Sequence, residues 1–168
     1  MSNRAGVALG SNLGNRLENL QHARDCLATE ATISNLRAAP VYQSVPVNCP
    51  PGSPDFFNTV VDFDYDGDPA SLLTLTQLIQ AKLGRTASAE RNAPRIIDLD
   101  ILFLGDQICQ TDELEIPHPR IGIRRFVLKP LADLSPDLML PGLTLPVRLL
   151  LEQLSEEDEP LVRLYESW

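Results

Sequence analysis

An α+β fold, a ferredoxin-like sandwich of helices on a mainly antiparallel sheet with extra C-terminal elements, is predicted by three features of the sequence. Segments with the two-residue period of a strand alternate with segments of helical spacing. Two helical segments lie between strands that mostly succeed one another, in the order β-α-β-β-α-β. No repeat or low-complexity block interrupts this string, and 168 residues with 43% apolar side chains suit a single domain, 1–168, with one core.

The first strand is the apolar run RAGVAL at 4–9, ended by GSNLGN. Asn15 with Glu18 three residues later is an N-cap and capping-box signal, and Leu17, Leu20, Ala23 and Leu27 place an apolar face on a helix over 16–28. Residues 32–45 and 56–65 alternate and are rich in Val, Phe and Tyr, as strands are. The link PVNCPPGSPD between them holds four prolines and a glycine, which exclude a helix; a loop this long inside a compact domain is often functional. Asp68 followed by Pro69 starts a second helix, whose stripe of Leu72, Leu75, Ile79 and Leu83 runs to Gly84. A polar segment, RTASAERNAP, precedes an apolar strand at 96–104. The tail holds a short helix after Pro146, an acidic loop EEDE and a final edge strand LVRLY.

Composition excludes several classes. No stretch approaches the ~20 apolar residues of a membrane helix, and the N-terminus lacks a signal-peptide pattern, so a cytoplasmic location is expected. Cys26, Cys49 and Cys109 are odd in number and widely spaced, which supports free thiols over a disulfide framework or a zinc site. A net charge of -9 argues against nucleic acid or an anionic membrane as partner. Yet eight of the fourteen basic residues lie between Lys82 and Lys129, where the local balance is +1. A basic patch inside an acidic protein points to a small anionic ligand, unless those arginines are simply scattered over the surface.

The strand RIIDLDILF carries the chemistry. With a period of two, Asp98 and Asp100 share a face about 7 Å apart, while Ile97, Leu99, Ile101 and Phe103 take the other. Two carboxylates on one face of an apolar strand repel and lose hydration, so they call for cations unless that face is fully wet. Mg2+ meets this need with one or two carboxylates, completing its shell with waters and phosphates. Arg85, Arg91 and Arg95 occupy the loop feeding the strand, and Arg binds phosphate oxygens through a planar fork. Carboxylates, metal and arginines together suit phosphoryl transfer. No P-loop or G-x-G-x-x-G sequence occurs. Downstream, His118, Arg120, Arg124 and Arg125 add polar groups, with Phe126 able to stack on a planar ring. Taken singly, the D-x-D pair reads sooner as a solvated face, His118 as structural and the phenylalanines as core.

Together these motifs resemble a known family. GSNLG at 10–14, VYQS, PDFFN, GR followed by R-x-x-P-R-x-x-D-L-D-I-L, then PHPR and R-x-F-V-L-x-P-L, are similar in kind and order to the 6-hydroxymethyl-7,8-dihydropterin pyrophosphokinases of folate synthesis, over about three quarters of the chain. The resemblance implies transfer of the β,γ-pyrophosphoryl group of ATP to the hydroxymethyl of a reduced pterin, giving AMP, with two Mg2+ ions. It implies Asp98 and Asp100 as metal ligands, and Arg85 and Arg95 as mobile-loop arginines on the phosphates. Gln77, Arg91, His118 and Arg124 fall to ATP. Phe56 and Phe126 become plates around the pterin, Asn58 its amide partner, and Ser44, Val45 and Val47 the segment along its edge. ATP and 6-hydroxymethyl-7,8-dihydropterin are then the partners of a monomer.

The chain departs from the family pattern at four positions. Relatives often carry an aromatic at Asn92, a basic residue near Ser88 and an acidic one at Gln80, and some have arginine at Glu113. These departures predict a looser closure of loop 85–95. Two other classes fit parts of the pattern. A non-catalytic pterin- or nucleotide-binding module does not need the acidic pair, and a D-x-D glycosyltransferase would need a nucleotide-binding βαβ pattern that is absent.

Overall fold

The structure is a computed structural model that describes residues 2–85 and 92–168. In chain order the elements are β1 (Asn3–Ser11), α1 (Arg16–Ala28), β2 (Ile33–Ala38), β3 (Val41–Ser44), β4 (Phe56–Tyr65), α2 (Pro69–Lys82), β5 (Asp98–Leu104), β6 (Cys109–Gln110), β7 (Glu115–Ile116), α3 (Arg125–Leu134), α4 (Val147–Glu152) and β8 (Leu161–Tyr165).

The helix starts follow from their caps. Asn15 accepts a hydrogen bond from the Glu18 N–H at 3.2 Å and Asp68 accepts one from the Ser71 N–H at 2.7 Å, each satisfying a donor that the first helical turn leaves free. Gly84, at φ +92°, ends α2 in a backbone conformation that few other residues adopt. The predicted strand segment 32–45 is divided into β2 and β3. Pro40 lacks an N–H for the ladder, and the Thr59 hydroxyl bridges the break by donating to the Ala39 and Pro40 carbonyls at 3.0 Å each.

One sheet runs in the order β5-β1-β4-β3-β8, with β2 also on β4, and every pairing in it is antiparallel. This is the ferredoxin-like order, extended at one edge by the predicted C-terminal strand. The two helices between strands cover one face: Leu20, Ala23 and Leu27 of α1 and Leu72 and Ile79 of α2 pack with Val7, Leu9, Val61, Leu99 and Ile101. Burying a large aliphatic chain contributes about 1.5–3 kcal/mol, so this layer fixes which strand residues face α1 and α2.

Two features differ from expectation. The segment from Arg125 to Leu134, read as a basic motif, is a helix whose Val127, Leu128 and Leu131 cover the other sheet face together with Leu102, Leu140 and Val147. Pro130 inside it obscures the helical pattern, because proline removes a donor and crowds the preceding turn. Phe103 also belongs to this second layer, not to the layer of Leu99 and Ile101. A register shift explains it. Gly6 pairs with Phe103 but Val7 with Ile101, so Leu102 is the extra residue of a bulge and the alternation changes phase. Gly6 is required here, since a Cβ would run into the Phe103 ring.

The second face also carries an ion cluster: Asp62, fully buried on β4, accepts from Arg4 of β1 and from Arg37 Nε of β2 at 2.9 Å, joining three strands. Cys26, Cys49 and Cys109 are free thiols. Among the described residues, no helix is long and apolar enough to cross a membrane.

Candidate active site

A cavity of about 720 Å³ opens on the second face, beside α3. Its floor is β1, where small residues leave room. Gly10 pairs with Asn58 of β4 on one side and Asp98 of β5 on the other, and Ala8 with Val60 and Asp100. A Cβ at Gly10 would lie 3.0 Å from Asn58 Oδ1 and 3.7 Å from the Phe56 ring, so a larger residue would encroach on the cavity. The absence of side-chain bulk on the central strand separates two chemically different walls.

The wall on the β4 side holds Ser44, Val45, Val47, Phe56 and Asn58, with Phe126 from the first turn of α3. Asn58 is buried and donates from Nδ2 to Ser44 Oγ at 2.6 Å, which fixes the orientation of the amide. Val45 and Val47 are 50% and 54% exposed, at the mouth. The Arg124 guanidinium lies 5.5 Å from the Phe126 ring centre. Apolar rings and a fixed amide suit a flat heterocycle.

The wall on the β5 side is ionic. Asp98 accepts from Arg85 Nη1 at 2.6 Å through one oxygen and from Arg95 Nη1 at 3.3 Å through the other. Asp100 stands two residues on, and burial, followed by the charge of Asp98, pushes its carboxyl up to about 6 against the pull of Arg124, Arg95 and Arg85. His118, Arg120 and Arg124 close the cavity on the α3 side. Burial, reinforced by Arg124 and Arg120, pushes the His118 imidazole down to about 4. Its Nδ1 accepts from the Arg120 N–H at 3.1 Å, so the neutral ring keeps its proton on Nε2 and is a donor there.

Two residues organise this wall that the sequence does not assign to the site: Asn12, and Gln80, named there only as a departure from the family pattern. Asn12, 1% exposed, accepts from the Arg95 N–H at 2.8 Å and returns its own N–H to the Arg95 carbonyl at 3.2 Å. Its Nδ2 reaches the Pro54 carbonyl at 3.4 Å, so one side chain ties both cavity loops to the end of β1. Its position inside GSNLG was the available signal. Gln80 accepts at one oxygen from Arg85 Nη1 at 2.6 Å and from the Leu99 N–H at 2.8 Å. Gln77, one turn earlier on α2, is exposed and does not line the cavity. Asn92, where an aromatic is usual, donates to the Asn48 carbonyl at 2.8 Å and so links the ends of the two loops. Arg91 and Ser88 lie outside the described residues.

A second hollow of about 310 Å³ adjoins the first and shares Asp100, His118 and Pro119 with it. Leu73, Leu99, Ile101 and Leu114 give it an apolar lining, with Thr76 and Thr111 as polar points and Asp112, Glu113 and Glu115 around it. Asp100 therefore borders both spaces, and Asp98 the larger one alone.

The donor set suits a hard cation. Asp98 and Asp100 offer only oxygen, and among the described residues no three His, Cys, Asp or Glu side chains converge on a metal-sized site. Such a wall lacks the ligands of a zinc centre but fits Mg2+, which takes one or two carboxylates and leaves the rest of its shell to water and phosphate.

The chain is similar to known proteins over most of its length. Residues 6–136 match the family model of 7,8-dihydro-6-hydroxymethylpterin-pyrophosphokinase. The chain is 41% identical over 141 residues to the 2-amino-4-hydroxy-6-hydroxymethyldihydropteridine pyrophosphokinase of Pseudomonas aeruginosa, covering 84% of this chain and 86% of that one. The Bacillus subtilis enzyme of the same name is 39% identical over 134 residues, covering 80% and 79%. The folic acid synthesis protein fol1 of Pneumocystis carinii is 38% identical over 90% of this chain, which spans only 20% of that longer protein. Among solved structures, a Plasmodium falciparum HPPK-DHPS variant with pterin and p-hydroxybenzoate superposes with a TM-score of 0.69 over 91% of this chain and 44% of its own, at 17% identity, a likeness of fold. By its sequence match over most of its length, the chain belongs to the 7,8-dihydro-6-hydroxymethylpterin-pyrophosphokinase family.

Proposed function

We propose that this protein transfers the β,γ-pyrophosphoryl group of ATP to the hydroxymethyl oxygen of 6-hydroxymethyl-7,8-dihydropterin in folate synthesis, and that Asp98 and Asp100 hold the Mg2+ it uses. The observation that carries the reading is the opposition of two walls across Gly10: an aromatic and amide wall on β4 and an ionic wall on β5, within one cavity.

On the first wall, Phe56 and Phe126 offer their faces to the pterin, and Asn58 with the Ser44–Val47 segment reads its polar edge. The nucleoside takes the apolar hollow beside Asp100, which places its phosphates along Asp98, Asp100, His118 and Arg124. Reaction forms a bond from the pterin hydroxyl oxygen to the β-phosphorus and breaks the bond from that phosphorus to the α,β-bridging oxygen, which leaves with AMP, while the hydroxyl proton passes to solvent. The chain's own residues position and stabilise charge. Arg85 and Arg95 face the phosphates as negative charge builds on the bridging oxygen, and His118 donates from Nε2 without adding a cation. Mg2+ bound at the carboxylates would neutralise the triphosphate. The number of ions, two, follows the family resemblance.

The test is incubation of the protein with Mg2+, ATP and 6-hydroxymethyl-7,8-dihydropterin, with nucleotides separated by chromatography. AMP in step with pterin pyrophosphate is expected. ADP would mean simple phosphorylation, and unchanged ATP with bound pterin would mean a binding module.

A further inference from the structure

Resting on that reading, we propose that Gln80 is a positioning residue of the reaction: its side-chain carbonyl sets both the Arg85 guanidinium and the backbone between Asp98 and Asp100. Among the described residues, β5 is the last strand of the sheet, with β1 on one side. Among the described residues no strand lies on the open side to accept the Leu99 N–H; Gln80 Oε1 accepts it at 2.8 Å. That N–H belongs to the peptide joining Asp98 to Leu99, so the contact holds the chain at the point that spaces the two carboxylates. The same oxygen accepts from Arg85 Nη1 at 2.6 Å, while Arg85 Nη1 also donates to Asp98 Oδ1 at 2.6 Å. Only the carbonyl end of an amide can meet two N–H donors, so the chemistry fixes the orientation of the side chain.

Neutrality also matters. The Gln80 carbonyl anchors Arg85 without cancelling its charge, so the guanidinium keeps its full attraction for phosphate. A carboxylate at the same place would make both contacts but would also form an ion pair with Arg85.

Gln80→Met keeps the length of the side chain and loses the acceptor. It is expected to lower kcat about 10–100-fold, the scale of a misplaced catalytic group, while KM for pterin stays within about two-fold. Gln80→Glu, which keeps both contacts, should hold kcat to within about five-fold of wild type. Combined with Arg85→Ala, Gln80→Met should cost less than the product of the two single losses, because Gln80 acts partly through Arg85. In the ligand-free protein, hydrogen exchange at the Leu99 amide should be slow in wild type and in Gln80→Glu and fast in Gln80→Met. Wild-type turnover in Gln80→Met, or multiplicative losses, would overturn the proposal. So would an unprotected Leu99 amide in wild type, a result readable even if Gln80→Met does not fold. Wild-type protein that forms no AMP would instead sink the reaction reading, and the Leu99 exchange, which needs no substrate, would still decide the role of Gln80.

Discussion

Arg85 Nη1 lies 2.6 Å from Asp98 Oδ1, so one of the two carboxylates assigned to the metal is paired with a loop-side arginine before any ligand arrives. A cation bound at Asp98, as proposed, would compete with Arg85 for that oxygen. Both side chains are partly exposed, so the pair stabilises by only about 0.5–1 kcal/mol, which converts to a few-fold in cation affinity. Arg85→Ala should therefore bind Mn2+, as a probe for Mg2+, about 2–5-fold more tightly without nucleotide, measured by titration of the free-ion paramagnetic signal. The same variant should form AMP about 10²–10³-fold more slowly, since the phosphates lose a charged donor. Unchanged Mn2+ affinity would contradict the competition.

Asp100 makes ligand-free stability depend on pH. Its carboxyl is raised from 3.8 to about 6, so the folded chain holds that proton more tightly than the unfolded chain does. The stability this contributes is fully present below pH ~3.8 and is lost as pH rises through about 6. Asp100→Asn removes the buried charge. It should stabilise the ligand-free protein by about 1–2 kcal/mol at pH 7.5 and change little near pH 4, read from thermal melts at both values. Equal shifts at the two pH values would contradict the burial of a charge at this position.

His118 works in the opposite sense. Its imidazole is lowered from 6.5 to about 4, so the folded chain resists a proton that the unfolded chain accepts. Stability from this source is fully present above pH ~6.5 and is lost as pH falls through about 4. His118→Gln should flatten the acid side of the stability profile and raise KM for ATP about ten-fold, the loss of one hydrogen bond to a charged group. A profile as steep as that of wild type would show that His118 does not carry this dependence.

Gly10→Ala tests the floor. Its Cβ would press on Asn58 Oδ1, and overpacking of this kind costs about 1–3 kcal/mol. KM for the pterin should rise about ten-fold, with KM for ATP within two-fold, because Asn58 and Phe56 line the wall assigned to the heterocycle. Equal rises for both substrates would place the pterin elsewhere.

Much of this architecture was legible in the residues because it is local. Asn15 with Glu18 and Asp68 with Pro69 mark helix starts by chemistry confined to four positions, and the alternation of Asp98, Leu99 and Asp100 places carboxylates and core on opposite faces without reference to the rest of the chain. What escaped the reading depends on pairing at a distance. Phe103 changed layer because of a bulge opposite Gly6, which only the register with β1 reveals. The helix Arg125–Leu134 hid behind Pro130, whose unfavourable propensity is outweighed by burial of Val127, Leu128 and Leu131. Asn12 meets Arg95 across 83 positions of sequence. Which glutamine of α2 reaches the site depended on how that helix lies against β5: Gln77 faces solvent and Gln80 faces the strand.

The most direct measurement is AMP formation by Asp98→Asn and Asp100→Asn at saturating ATP and pterin, with pterin affinity of each variant determined by calorimetry. Expected is a loss of turnover of at least about 10³-fold in both, with pterin Kd within about three-fold of wild type, because the carboxylates stand on the ionic wall proposed for the phosphates and the wall of Phe56, Asn58 and Phe126 is left intact. Turnover within ten-fold of wild type in both variants would contradict the assignment of Asp98 and Asp100 as the metal-holding pair.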